Sequence, residues 1–169
     1  MKKIVLLFFV SILICSTIKA QKASPASTAK GTVGYANISI SYSSPAVKER
    51  KIWGELVPYN EIWRAGANEA TIFETDKALK IEGKELPAGK YSLYMLPTDK
   101  EWTIIFNSQV GQWGITREHR TTNDPTKDVL KVNVKPTESK TFNERLTYEV
   151  TEKGFTLNWE KLTVPVKVK

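Results

Sequence analysis

The fold is decided by the stretch LTYEVTEKGFTLNWE, residues 146–160. On each side of residues 152–154, apolar and polar side chains alternate with a period of two, which is the pattern of a half-buried β-strand. The Glu-Lys-Gly segment between them has the composition of a tight turn, in which glycine adopts backbone angles that other residues avoid. The stretch therefore predicts two β-strands joined by a turn.

The same alternation recurs in both directions from this stretch. It is found in five further segments, at residues 38–43, 79–82, 102–106, 130–135 and 164–168. These segments are rich in β-branched and aromatic side chains, and turn-forming Gly, Pro or Asp residues stand between several of the strand segments. Tyr91–Leu96 is apolar on both faces, as expected of a central strand. The pattern predicts an all-β fold, an antiparallel β-sandwich or a barrel-like variant of it.

Helix is predicted to be scarce. Residues 46–63 carry apolar side chains at irregular spacing, but Gly54 and Pro58 interrupt any long helix, so we expect one or two short helical turns there. The apolar positions of the strongest strand patterns define the expected core, which includes Leu93, Trp102, Leu157 and Trp159.

The first twenty residues have the order of a removable export signal. Lys2 and Lys3 precede an apolar run, Ile4–Cys15, and the small residue Ala20 stands at the predicted cleavage point. The run is shorter than the roughly 20 apolar residues of a membrane-spanning helix. We therefore predict a signal peptide over residues 1–20 and a periplasmic or secreted mature protein with no transmembrane segment.

The mature chain is predicted to have a short leader and one domain. Residues 21–31 (QKASPASTAKG) are small and polar, so they are predicted to form a flexible tether. Residues 32–169 are predicted to form a single β-sandwich domain, a length sufficient for one hydrophobic core.

Composition excludes several functional classes. Three of the 25 basic residues lie in the signal, so the mature chain carries 22 Lys and Arg against 18 Asp and Glu, a net charge of +4, which argues against nucleic-acid binding. Cys15 is the only cysteine and lies in the signal, and His119 is the only histidine. Disulfides, thiolate zinc sites and cysteine nucleophiles are thereby excluded, and neither a metal site nor another cofactor is predicted.

Several motifs follow one another along the chain: SPAVKERKIWG at 44–54, WRAGANEAT at 63–71, LPAGKYSL at 86–93 and WTIIFN at 102–107. This series resembles an exported bacterial family catalogued as domain of unknown function 2911, and the likeness extends from about Val33 to the end of the chain. The resemblance implies a β-rich exported domain of a kind common in Bacteroidetes-type bacteria. It implies no activity and no catalytic residues.

The WRAGANEAT segment contains the main candidate ligand-binding residues. Trp63 offers a flat apolar face, Arg64 a planar fork of donors, Asn68 an amide and Glu69 a carboxylate. Such a mixture suits recognition of a sugar or a peptide. A structural interpretation is also open, in which Arg64 pairs internally with Glu69 while Asn68 satisfies backbone groups at a corner.

Two conformational questions bear on this site. On one regular strand Arg64 and Glu69 would point to opposite faces, so they share a site only if the chain bends between them, and Gly66 is the expected point of bending. Trp113 is the remaining candidate, in a long connection over residues 107–120. It is either an exposed stacking platform or an apolar plug.

The leading functional hypothesis is a non-catalytic binding or structural module of the bacterial envelope that recognises a glycan, a peptide or a partner protein. The alternative is a glycosidase-like hydrolase that depends on carboxylates, with Glu69 as its acid or base. A purely architectural module is the third possibility. Convergence of the candidate side chains around one cleft would favour binding or catalysis, whereas a buried pair of Arg64 and Glu69 would favour architecture.

Overall fold

A computed structural model describes residues 23–169, so the predicted signal over residues 1–20 lies outside the described residues. Within them, the only helical element is one turn of 3-10 helix, Pro125–Lys127. All other regular structure is strand, which confirms the all-β prediction. The ten strands are β1 (Ala26–Val33), β2 (Ala36–Ser43), β3 (Thr71–Thr75), β4 (Leu79–Ile81), β5 (Lys84–Leu86), β6 (Gly89–Leu96), β7 (Trp102–Asn107), β8 (Asp128–Val134), β9 (Thr137–Thr151) and β10 (Gly154–Lys167).

Six strands form the larger layer, in the order β1-β2-β3-β6-β7-β8, and every neighbouring pair is antiparallel. The sheet is open, with β1 and β8 at its edges, so the barrel-like variant is not adopted in the described part of the chain. Strand β6 lies inside this sheet, and its residues 91–95 are all buried. This arrangement confirms the prediction of a central strand.

The second layer is built around the hairpin of β9 and β10. Strand β10 folds back on itself near Glu160, whose φ is 55°, and the amide of Val168 then donates to the carbonyl of Lys153 at 3.1 Å. Reciprocal backbone bonds of 2.8 and 2.9 Å between Lys80 and Lys169 join the end of the chain to β4. Phe73 of the first layer and Phe155 of the second lie 5.6 Å apart between ring centroids, so the core fills the space between the two layers.

Four tryptophans of this core form one cluster. In five of the six pairs among Trp53, Trp63, Trp102 and Trp159 the ring centroids lie 5.0–6.5 Å apart, mostly in edge-to-face arrangements. Trp102 and Trp159 are at most 2% exposed, and Leu93 and Leu157 are fully buried. The predicted core residues are therefore confirmed.

The tether predicted over residues 21–31 is wrong from Ala26 onward. Residues 26–31 belong to β1, which pairs with β2 residue by residue. At Gly31 the absence of a side chain is needed because β9 passes close by, and a Cβ there would lie 2.8 Å from Cγ1 of Val150. The strand is held by its backbone and by close approach, whereas the prediction weighed only the burial of large apolar side chains.

The short helical turns expected in residues 46–63 are also absent. This segment is a succession of tight turns and isolated bridges. Its backbone enters the left-handed region at Lys48, Glu49, Gly54 and Asn60, with φ between 48° and 84°, and such residues end a right-handed helix. The turns nevertheless bury Ile52 and Val57 and place Trp53 in the tryptophan cluster.

Candidate functional site

The chain turns a sharp corner at residues 64–68, as predicted. The residues that adopt the unusual backbone conformation are, however, not the glycine that was expected to do so. Ala65 and Asn68 adopt the left-handed conformation, with φ of 54° and 59°, and Gly66 does not. Gly66 is needed for close approach instead, because a Cβ there would lie 2.7 Å from Oγ1 of Thr71 and 3.2 Å from the carbonyl oxygen of Ser43. The corner therefore packs directly against the end of β2.

Hydrogen bonds from three sides hold the corner. The Ala65 carbonyl accepts from Oγ1 of Thr71 at 2.9 Å and from the Tyr148 hydroxyl at 2.8 Å. Burial raises the pKa of Tyr148 well above its usual range, which keeps this hydroxyl protonated and able to donate. Nδ2 of Asn68 donates to the Ser24 carbonyl at 3.2 Å and to Oγ of Ser43 at 3.1 Å. Asn68 therefore stabilises the corner, as the structural interpretation expects.

The long connection after β7 holds the other side of the corner. The amide of Gly114 donates to the carbonyl of Asn68 at 3.0 Å, and Trp113 forms a backbone bridge with Glu69. A Cβ added to Gly114 would overlap with Cδ of Arg64. The absence of a side chain at Gly114 therefore leaves room for the aliphatic stem of Arg64.

A cavity of about 250 Å³ opens beside this corner and brings three predicted residues, Trp63, Arg64 and Asn68, together. The remaining lining residues are Ser24, Pro45, Arg50, Leu56, Val57, Gly66, Ala67 and Trp159. Two of the lining residues are arginines and none is an aspartate or a glutamate. The cavity therefore has a positively charged wall beside an apolar one, and we call it the positive cavity.

Arg64 is half-buried in this wall, and burial lowers the pKa of its guanidinium. Its Nε is buried and has no hydrogen-bond partner, and the guanidinium forms no ion pair with the described residues. The indole Nε1 of Trp159, another lining residue, is also buried and has no hydrogen-bond partner among the described residues. Both of these atoms are donors, so two of the residues that line the cavity carry a buried N–H group without an acceptor.

Arg50 was missed by sequence reasoning. Its Nε donates to the Val47 carbonyl at 3.0 Å and its Nη2 to the Ala46 carbonyl at 2.6 Å. These bonds fix the plane of the guanidinium, and its Nη1 makes no hydrogen bond within residues 23–169. The signal that could have identified Arg50 is its place in the SPAVKERKIWG motif, but a run of charged residues usually indicates a solvated loop.

Glu69 and Trp113 lie outside this cavity. Glu69 is exposed and lines a separate cavity of about 220 Å³ beside β1 and β2, which has no other carboxylate in its lining. Trp113 is 50% exposed and lines neither cavity. Ion pairs within residues 23–169 join Lys51 to Glu55, Lys90 to Glu74 and Lys131 to Asp128. The internal pair of Arg64 and Glu69 is therefore not formed.

Comparison with protein families gives one match. The sequence model of the family described as Protein of unknown function (DUF2911) matches residues 24–168. The chain belongs to this family. The match includes every residue that lines the positive cavity, so that cavity is a feature of the DUF2911 domain of this chain. Neither the curated proteins nor the solved structures yield a match.

Two further properties concern the described part of the DUF2911 domain. Within residues 23–169, no group of three or more His, Cys, Asp or Glu side chains is arranged to hold a metal ion, and His119 lies exposed on the long connection. The same residues contain no helix with the length and apolar character required to span a bilayer.

Proposed function

We propose that this DUF2911 protein is a non-catalytic binding module of the bacterial envelope and that the cavity beside the 64–68 corner is its ligand site. The signal predicted for residues 1–20 supports export to that compartment. The observation that carries the proposal is the guanidinium of Arg64, which is half-buried in the cavity wall without an internal partner. A binding site explains such a group better than a structural role does.

The energetic argument concerns desolvation. Moving a cation partly out of water costs free energy that an internal hydrogen bond or ion pair normally offsets. Arg64 has neither within the described residues, so no internal hydrogen bond or ion pair of its guanidinium offsets this cost. A bound ligand with acceptors would supply the missing compensation.

The size of the cavity limits what enters it. Pockets for whole small molecules usually measure about 300–1,000 Å³. A cavity of about 250 Å³ is slightly smaller, so it suits the terminal group of a larger ligand, such as the end of a glycan or a peptide. Burial argues against stacking of a sugar on Trp63, because the residue is only 8% exposed and one face of its ring already stacks on Trp159 at 6.0 Å.

The two cavities beside the 64–69 segment do not favour the hydrolase alternative with Glu69 as its acid or base. A glycosidase of the usual kind needs two carboxyl groups about 5–10 Å apart across the scissile bond. Glu69 is the only carboxylate that lines its cavity, and the positive cavity has none. Glu69 therefore has no second catalytic carboxyl group among the residues that line either cavity.

The proposal is tested by probing glycan and peptide arrays with the mature protein, residues 21–169. Leu56 lies on the cavity wall and is 43% exposed, so Leu56→Trp should obstruct the cavity without disturbing the core. Val110→Trp is the matched control, because Val110 is equally exposed and lies outside the cavity lining. We expect binding to be lost in Leu56→Trp and kept in Val110→Trp. Equal binding by both variants would place the ligand elsewhere.

A further inference from the structure

We infer that the group recognised in this cavity is a carboxylate, held between Arg50 and Arg64. The inference rests on the proposed function, since it names the chemistry of the ligand at the same site. It does not depend on whether the carboxylate belongs to a peptide or to a sugar.

The first argument is charge. Two guanidinium groups line the cavity, and no lining residue carries a negative charge. Electrostatic attraction is several times stronger in a partly desolvated site than in bulk water. An anion therefore compensates for the desolvation of Arg64, which a neutral ligand does less well.

The second argument is the direction of hydrogen bonding. The buried unpartnered atoms of the lining residues Arg64 and Trp159 are both donors. An ionised carboxylate is a pure acceptor, with two oxygens and about four lone-pair sites. Its plane also matches the planar fork of a guanidinium, which allows two parallel hydrogen bonds.

The third argument is preorganisation. Two carbonyl groups, those of Ala46 and Val47, already hold the Arg50 guanidinium in one orientation. The packing of the Arg64 stem against Gly114 restricts the other guanidinium. Because both side chains are restricted before binding, less conformational entropy is lost when a ligand binds.

The surroundings favour a carboxylate over a phosphate. Phosphate sites commonly add several backbone N–H groups from a helix N-terminus or a loop nest. Here the amide of Ala67 is used, since it donates to the Ser43 carbonyl at 3.3 Å. Pro45, Leu56 and Val57 provide an apolar wall instead, which suits the carbon skeleton that carries a carboxylate.

Small probes test the inference directly on the mature protein by following the Arg64 Nε–H resonance in NMR titrations. N-acetylalanine and glucuronate present the carboxylate on a peptide end and on a sugar, and their carboxamide forms are the neutral controls. Inorganic phosphate is the third probe. We expect both acids to bind in the millimolar range and both amides to bind at least about tenfold more weakly. The tighter of the two acids identifies the source.

Charge at the rim of the cavity provides a second test. Leu56→Glu and Leu56→Gln have nearly the same shape and differ in charge, and the position is exposed enough to accept either. We expect Leu56→Glu to weaken carboxylate binding about tenfold by repulsion and Leu56→Gln to change it less than about threefold. Arg64→Gln should abolish binding, and Arg117→Gln, at an exposed arginine outside the cavity lining, should not.

Several results would overturn the inference. Equal binding of the acid and amide probes, lost in Leu56→Trp, would show a site for neutral ligands, in which case the proposed function stands and the carboxylate does not. Binding of phosphate but of neither acid would show that the cavity recognises a phosphate group and not a carboxylate. No response of Arg64 to any probe at tens of millimolar would refute the carboxylate, and the array experiment would then decide the proposed function separately.

Discussion

The tryptophan cluster and the 64–68 corner adjoin at Trp63, which directly precedes the corner, but they differ in how their polar and apolar groups are used. In the cluster, four indole rings pack against one another, and Nε1 of Trp102 donates to the Thr98 carbonyl at 3.1 Å. The indole Nε1 atoms of Trp53 and Trp159 are buried without a partner among the described residues, but they carry no charge. In the corner, Arg64 is half-buried and charged, and its Nε has no partner among the described residues. Apolar burial stabilises the domain in the first region, whereas partial burial of a charge opposes stability in the second.

The corner is itself divided between two kinds of residue. Asn68 and Gly114 hold the backbone in place through hydrogen bonds and close approach. Arg64 is positioned by that framework and contributes no hydrogen bond from its Nε in return. The comparison therefore predicts large losses of stability in the cluster, smaller losses in the framework of the corner and almost none at Arg64.

The largest effect is expected in the cluster. Trp102→Ala should lower the free energy of unfolding by about 3–5 kcal/mol, because it leaves a large cavity where a side chain only 2% exposed packs against Trp53. Urea unfolding of the mature protein measures the loss, and Trp102→Phe, which retains an aromatic ring, should lose less. A loss below about 1 kcal/mol would show that the cluster does not dominate the stability of this domain.

The next effect is expected where the long connection meets the corner. Gly114→Ala places a Cβ against Cδ of Arg64 and 2.9 Å from the Asn68 carbonyl oxygen, so it should destabilise by about 1–3 kcal/mol. It should also weaken ligand binding, because the Arg64 stem must move. Gly111→Ala is the control, since its Cβ meets nothing within 4 Å and incurs only the strain of its φ of 85°. Equal binding by both variants would contradict the positioning of Arg64 by Gly114.

A loss within the same range is expected at Asn68. Asn68→Ala removes the hydrogen bonds to Ser24 and Ser43 and places alanine at a φ of 59°, so we expect a loss of about 2 kcal/mol. Asn68→Gly removes the same bonds but tolerates the backbone angle. Chemical denaturation of both variants separates the two contributions. If glycine destabilises as much as alanine, the backbone angle has no part in the effect.

The sequence predicts the strands well and the site only in part, for identifiable physical reasons. Half-burial leaves a period of two in segments such as residues 146–150, so their strands are visible without a structure. The alternation does not reveal β1, because this strand is held by backbone pairing and close approach and not by large apolar side chains. Arg50 is exposed, and a charged run has no local mark that distinguishes a guanidinium held by backbone carbonyl groups from one without such bonds, so the sequence does not identify it.

The separation of Glu69 from Arg64 could not be predicted either. The sequence places them five residues apart in one polar segment. Whether the two side chains meet depends on the φ of Ala65 and Asn68 and on the approach of the long connection at Gly114. These are features of the tertiary structure. The bend itself was predictable from the small residues, but the residues that adopt the left-handed conformation were not.

The central claim is that Arg64 serves a ligand rather than the fold, and the unfolding free energy of Arg64→Met tests it most directly. Methionine keeps the aliphatic contact with Gly114 and removes the unpartnered charge. The free energy of unfolding of Arg64→Met in urea should lie within about 1 kcal/mol of that of the unmodified protein, or be slightly higher. The reason is that no acidic group among the described residues loses an ion-pair partner when Arg64 is replaced. A loss of about 3–5 kcal/mol, the value expected when a buried ion pair is broken, would contradict the account.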